Sequence, residues 1–329
     1  MVVQESLELD GDKKIEKVSC GGNHTVILLQ DGRLLSSGDG EMGQVDRAPG
    51  LGWKYMETGL LINDVACGWE FTIAIDNNNA VFARGYGPKG ELGLGESRVQ
   101  ATTFEKIMDI DEGFHGKLFS SFQNCTLLVQ GSKNGSKVYG WGSNLKCQLL
   151  EPKCKSVFHP TLIYENNDIT IDYVAMGKDF MVLVDIEGQV VDVRGSIPTD
   201  FHVNEWKGRK NLKVYCMWSS IHIWCGNKLY SYGFGHFGQL FDKDFKLDNV
   251  VDIGMGSEHG IIVMKCASSY KVLCWGWGEH GNCGSLTNDK HKIVNDRSNT
   301  TSPLNEILTC KNVPLVYGGC ATTWIVTRD

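Results

Sequence analysis

Apolar residues along the chain fall in short runs, rich in β-branched and aromatic types and bounded by Gly, Asn and Asp. Val26-Ile-Leu28, Ile73-Ala-Ile75 and Ile261-Ile-Val263 are examples. Helical periodicity is nearly absent, so the pattern predicts strands. Asp31-Gly32, Asn77-Asn78 and Glu187-Gly188 separate paired runs in the manner of hairpin turns. Each unit reads strand, Gly turn, strand, hairpin turn, strand, Gly-rich turn and a longer connection.

Two signatures recur within these units. The first is an anchor, clearest in Val18-Ser-Cys20-Gly-Gly22-Asn-His24-Thr-Val26-Ile-Leu28. It returns at 65–75, 174–182, 253–263 and 316–326, with degenerate copies at 119–129 and 215–224. Seven anchors spaced about 38 to 63 residues apart point to a propeller or solenoid, and the short strands favour a propeller. The second signature is G-x-G-x-x-G, at 38–43, 85–90, 233–238 and 276–281. Gly140-Trp-Gly142-Ser-Asn-Leu145-Lys-Cys147-Gln148 reads as a fifth copy without the third Gly, and Gly195 marks a worn one. A dinucleotide-binding loop occurs once, between a first strand and a helix. Repetition makes this motif a turn of the repeat.

Composition narrows the function. The 329 residues are 42% hydrophobic, ample for a large core. A net charge of -7 lacks the basic excess that phosphate neutralisation needs, so no direct nucleic-acid role is expected. The opening MVVQESLELDGDKK has no apolar core, and neither a signal peptide nor a membrane span is read. The 12 Cys are scattered without a C-x-x-C, which reads as reduced thiols and no metal site.

The alternating G-G-x-H-T and G-x-G-x-x-G-Q-L units resemble the regulator of chromosome condensation repeat family. That resemblance implies an all-β, seven-bladed β-propeller filling residues 1–329 as one domain. No aromatic-Gly-x-Gly run precedes Cys20, so the closing blade is expected to lack its usual N-terminal strands. The stretches 139–153, 173–181, 274–284 and 318–326 resemble a fungal subgroup of the family. This implies a non-enzymatic protein, cytoplasmic and nuclear, carrying no cofactor. The implied partner is the CSL zinc-finger diphthamide biosynthesis protein three, in a heterodimer. Through it the subgroup serves Elongator-dependent wobble-uridine modification of tRNA, killer-toxin sensitivity and diphthamide synthesis. Family analogy also leaves open a guanine nucleotide exchange factor for a small GTPase, and an enzyme at the propeller axis is a third reading.

Candidate contact residues lie where the anchor turn departs from Gly-Gly-Asn-His: Trp69-Glu70, Lys178-Asp179, Trp218-Ser219 and Ser257-Glu258-His259. Repeat logic puts these at one end of successive blades, where aromatic anchors with a polar surround suit a protein contact. The competing reading is that the tryptophans are blade core, the charges are solvated, and His24 and His259 are satisfied core histidines. Glu279 and His280 in the Trp277-Gly-Glu279-His280 turn form a second candidate. Residues 285–313, polar and sparse in apolar side chains, read as a mobile inter-blade loop; 99–116 reads as an outer strand.

Overall fold

The predicted units fold as antiparallel sheets. The computed structural model describes residues 7, 9, 13–46, 52–242, 245–284 and 304–327. The first sheet contains β1 (Ile15–Cys20), β2 (His24–Leu29), β3 (Leu34–Gly38) and β4 (Lys54–Tyr55). The second contains β5 (Ile62–Cys67), β6 (Phe71–Asp76), β7 (Ala80–Tyr86) and β8 (Gln100–Asp109). The third contains β9 (Phe114–Ser121), β10 (Asn124–Gly131), β11 (Ser136–Ser143) and β12 (Ser156–Asn166). Three-stranded sheets follow. One has β13 (Ile171–Met176), β14 (Phe180–Asp185) and β15 (Val190–Gly195); the next has β16 (Lys213–Cys216), β17 (Ser220–Cys225) and β18 (Lys228–Gly233). The sixth contains β19 (Val250–Met255), β20 (His259–Lys265), β21 (Tyr270–Gly276) and β22 (Asn305–Cys310).

The seventh anchor gives only a two-stranded ribbon, β23 (Leu315–Gly318) and β24 (Thr323–Val326). Among the described residues the propeller therefore has six blades, and the expectation of seven is corrected. An anchor supplies only the first two strands of a blade, so counting anchors overcounts blades. The inter-blade loop expected over 285–313 is also corrected in part. Residues 305–310 are strand β22, paired to β21, and 285–303 lie outside the described residues. No helix among the described residues is long and apolar enough to cross a membrane.

The chain forms two compact units. Among the described residues, the first holds those up to 186 together with 191–196, and the second holds 187–190 and those from 197 to 327. Within each, the second strand of a blade is buried on both faces, which is why it reads as a continuous apolar run. Ile73 and Ile75 of β6 enter one cluster with Leu127, Trp141 and Met181, while Ala74 between them enters another with Val26, Leu28 and Val65. In β20, Ile262 packs with Met217, Leu229 and Trp275, and Ile261 and Val263 with Val272 and Cys274. Adjacent blades thus share their cores.

One glycine rule shapes all six blades. Gly38, Gly85, Gly142, Gly195, Gly233 and Gly276 lie last or next to last in the third strand, with φ between +87° and +115°. A Cβ at any of them would collide with the carbonyl oxygen of Asn23, Glu70, Gln123, Asp179, Ser219 or Glu258 respectively. The next residue donates its N–H to that same carbonyl, at 2.8–3.1 Å. Only glycine meets both demands. In the third blade the motif starts at Gly142, not Gly140. Cys147 then occupies the third-glycine place, in left-handed backbone at φ 57°.

Candidate functional site

The register His259↔Gly276, like His24↔Gly38, sets the anchor turn and the Gly-rich turn of a blade side by side. The two kinds of candidate turn therefore share one end of each blade. Hydrogen bonds link this end from blade to blade. The Gly22 N–H donates to the Trp69 carbonyl at 3.0 Å, and the Trp69 N–H to Phe122 at 2.8 Å. In the second unit the Trp218 N–H donates to Ser257 at 2.7 Å, and the Ser257 N–H to Gly319 at 2.9 Å.

In the first unit, the half-buried Trp69 meets Phe122 edge-on at 5.2 Å, and the exposed Lys178 holds its Nζ 4.5 Å from the same ring. The carbonyls of Glu70 and Asp179 accept from Tyr86 and Ser196 at 2.8 and 2.9 Å. Trp69 and Lys178 are thus tied to one aromatic ring, Phe122, which the sequence reading passed over.

The second unit holds Trp218, Glu258, His259, Glu279 and His280. Glu258 accepts from Ser219 Oγ at 2.7 Å and from Gln239 Nε2 at 3.0 Å, and its carbonyl receives the Trp277 N–H at 2.8 Å. Glu279 and His280 are exposed. His259 is fully buried and offers no surface to a second protein, which corrects its place among the contact candidates. Its Nε2 lies 3.0 Å from Thr323 Oγ1, which donates to the Asn282 carbonyl at 2.7 Å. His24 repeats the arrangement with Thr72 and Gln44, at 3.0 and 2.9 Å. Burial lowers His24 to about 3 and His259 to about 4, so both are neutral links between repeats. His222, between Ser220 and Ser231 at 2.9 Å each, is likewise buried and lowered to about 3.

Other buried polar groups have structural work. In three blades the residue before the blade glycine donates to the Gly-rich turn of the preceding blade. Arg84 Nε reaches the Gly43 carbonyl at 2.6 Å, Trp141 Nε1 reaches Glu91 at 2.8 Å, and Trp275 Nε1 reaches Gln239 at 2.9 Å. Arg84 also pairs with Asp46 and donates to Thr102 at 2.6 Å. The open groove of about 850 Å³ beside it, lined by Glu41, Lys54, Tyr55 and Glu57, therefore meets a guanidinium already engaged. All 12 cysteines are free; burial pushes Cys67 up to about 11 and also raises Cys125. Neither is a ready nucleophile.

Exposed aromatic side chains gather at one place in the second unit. Phe234 and Phe237 are 45% and 41% accessible on the Gly-rich turn of the fifth blade. Phe234 meets His236 at 4.2 Å and Phe237 at 6.3 Å; Phe237 meets Trp277 at 6.3 Å; Trp277 meets His280 at 4.9 Å. Of these five rings the sequence reading found only the Trp277-to-His280 turn. The phenylalanines were hidden in variable positions of a motif read for its glycines.

Residues 15–44 match the regulator of chromosome condensation (RCC1) repeat. One RCC1 repeat is thus matched, within the first blade. It is 27% identical to an RCC1 repeat-containing protein of Schizosaccharomyces pombe, over 97% of this chain and 91% of that one. It is 22% identical to the secretion-regulating guanine nucleotide exchange factor of Bos taurus, over 83% of this chain and 68% of that one. Among solved structures, that of Kap60 bound to yeast RCC1 (Prp20) superposes with a TM-score of 0.67 at 17% identity, covering 96% of this chain and 81% of the other. The fold is that of the RCC1-type propellers.

Proposed function

We propose that this RCC1-type propeller is a non-catalytic protein-binding partner. The observation that carries the reading is the ring row Phe234, His236, Phe237, Trp277 and His280, exposed but for the half-buried Trp277, on turns pinned by hydrogen bonds. Aromatic side chains held rigidly at a surface supply contact area at low entropic cost, as interface anchors do. The titratable side chains buried beside the turns are committed to holding repeats together.

The partner in this reading is the CSL zinc-finger diphthamide biosynthesis protein three. The support is the resemblance of stretches 139–153, 173–181, 274–284 and 318–326 to the fungal alpha-tubulin suppressor protein. With that partner the chain would serve Elongator-dependent tRNA wobble-uridine modification and diphthamide synthesis, in cytoplasm and nucleus. Mixing the purified proteins, followed by size exclusion with mass detection, tests it. A stable one-to-one complex is expected; two separate peaks at micromolar concentrations sink the assignment.

A second reading, nucleotide exchange on a small GTPase, draws on the similarity to the bovine exchange factor over 83% of this chain. Accelerated release of a fluorescent GDP analogue from a GTPase would favour it over the first.

A further inference from the structure

The ring row has a chemical preference that the blade fold does not require. The position of Phe234 is Asp39 in the first blade and Ser143 in the third; that of Phe237 is Met42, Lys89 and Lys146 in the first three. The turn therefore closes without aromatic side chains. The backbone beneath the rings is fixed. Phe234 N–H donates to Ser219 at 3.1 Å, Phe237 N–H to Gln239 Oε1 at 2.9 Å, and Asn282 Nδ2 to the Trp277 carbonyl at 2.7 Å.

Within the two turns that carry the rings, the charged side chains are acidic. Neither turn, 233–239 or 276–282, contains Lys or Arg, whereas the equivalent turns of the second and third blades carry Lys89 and Lys146. Glu279 is exposed between Trp277 and His280, and it enters no ion pair among the described residues. The exposed Asp200 lies at the other end, its Oδ2 accepting the Gly233 N–H at 3.2 Å. Glu258 is held between Ser219 and Gln239. Aromatic faces attract cations through their quadrupole, and adjacent carboxylates add a counter-charge. A guanidinium fits better than an ammonium, because its plane stacks on a ring while its edge reaches a carboxylate.

We propose that the Phe234–Phe237–Trp277 surface docks an extended, arginine-bearing segment of a partner protein. The inference rests on the partner-binding reading above and specifies the chemistry of what is bound.

The test is fluorescence polarisation at pH 8 with a labelled Gly-Ser-Arg-Leu-Arg-Ser-Gly peptide and its citrulline counterpart, which keeps the shape and removes the charge. The arginine peptide is expected to bind at least about tenfold more tightly than the citrulline peptide. Phe237→Lys installs a side chain that equivalent turns already carry, so the fold is kept. It and Glu279→Lys are each expected to weaken arginine-peptide binding about tenfold, while Lys133→Ala, at an exposed position outside every candidate turn, leaves it unchanged. Equal binding of the two peptides, no binding of either, or indifference to Phe237→Lys overturns the proposal. The zinc-finger complex separates the two claims. If it forms and survives Phe237→Lys, this surface is not the dock and the partner reading stands. If it fails to form while the arginine peptide binds as expected, the named partner falls and the surface stands.

Discussion

Glu91 shows what a single residue reveals about the repeat. It sits where Gln44, Gln148 and Gln239 sit in other blades, 2% exposed, and one of its oxygens accepts the Lys89 N–H at 2.6 Å. Burial pushes its carboxyl up to about 7, with Glu70 adding to the rise. Below pH about 4.5 both folded and unfolded chains hold the proton, and the contribution to stability is complete. Between about 4.5 and 7 the unfolded chain ionises first, so stability falls as pH rises. Above 7 the loss is constant, on the order of 3 kcal/mol. Glu91→Gln keeps the acceptor and removes the titration. It should melt higher than the parent at pH 8, with the difference vanishing near pH 4.5; equal melting temperatures at pH 8 would refute this account. Cys147 is the complementary case, a non-glycine residue at φ 57° where four other blades use glycine. Cys147→Gly should gain about 0.5–1 kcal/mol in urea unfolding, relief of left-handed strain exceeding the added chain entropy. Sequence spacing had framed this motif on Gly140, because nothing in a string of letters distinguishes a glycine needed for φ from one needed for packing.

At the scale of strands and turns, the blade glycines make the strongest demand. Gly233 has φ +115° and its missing Cβ would strike the Ser219 carbonyl, whereas Gly226, at φ +63°, faces open space. Gly233→Ala should therefore cost more than about 2 kcal/mol, and Gly226→Ala about 1, in denaturant midpoints. Comparable losses would remove the collision argument. These turns were legible in the sequence because the constraint is backbone-local and repeats. So were the second strands, whose two buried faces leave continuous apolar runs. The outer strand β22 was not. Its Asn305-Glu-Ile-Leu-Thr-Cys310 sequence has no fully buried residue and follows a long polar segment, so it resembles a loop. Counting anchors gave one blade too many, since the last anchor forms only the ribbon of β23 and β24.

For the whole molecule, the anchor turns named from sequence fall into two groups on two compact units. Trp69, Glu70, Lys178 and Asp179 lie on the first, and Trp218, Glu258, Glu279 and His280 on the second. Repeat logic treated them as equivalent, and hydrogen bonding does link neighbouring turns within each unit. It could not rank them, because the deciding feature is exposure. Lys178 is spent partly on Phe122, whereas Phe234 and Phe237 present their rings to solvent. Ligand binding stabilises the residues it covers and slows their opening, by about 4 kcal/mol at a thousandfold excess over the dissociation constant. Hydrogen exchange with saturating CSL zinc-finger protein should therefore give its largest added protection at 218–220, 233–239 and 276–282, with little change at 68–71 and 177–180. The reverse pattern would move the interface to the first unit and make Phe122, with Trp69 and Lys178 around it, the anchor of the contact. Protection spread evenly over both sets would mean that binding stabilises the repeat array as a whole, and the exposed rings would lose their special place in the recognition.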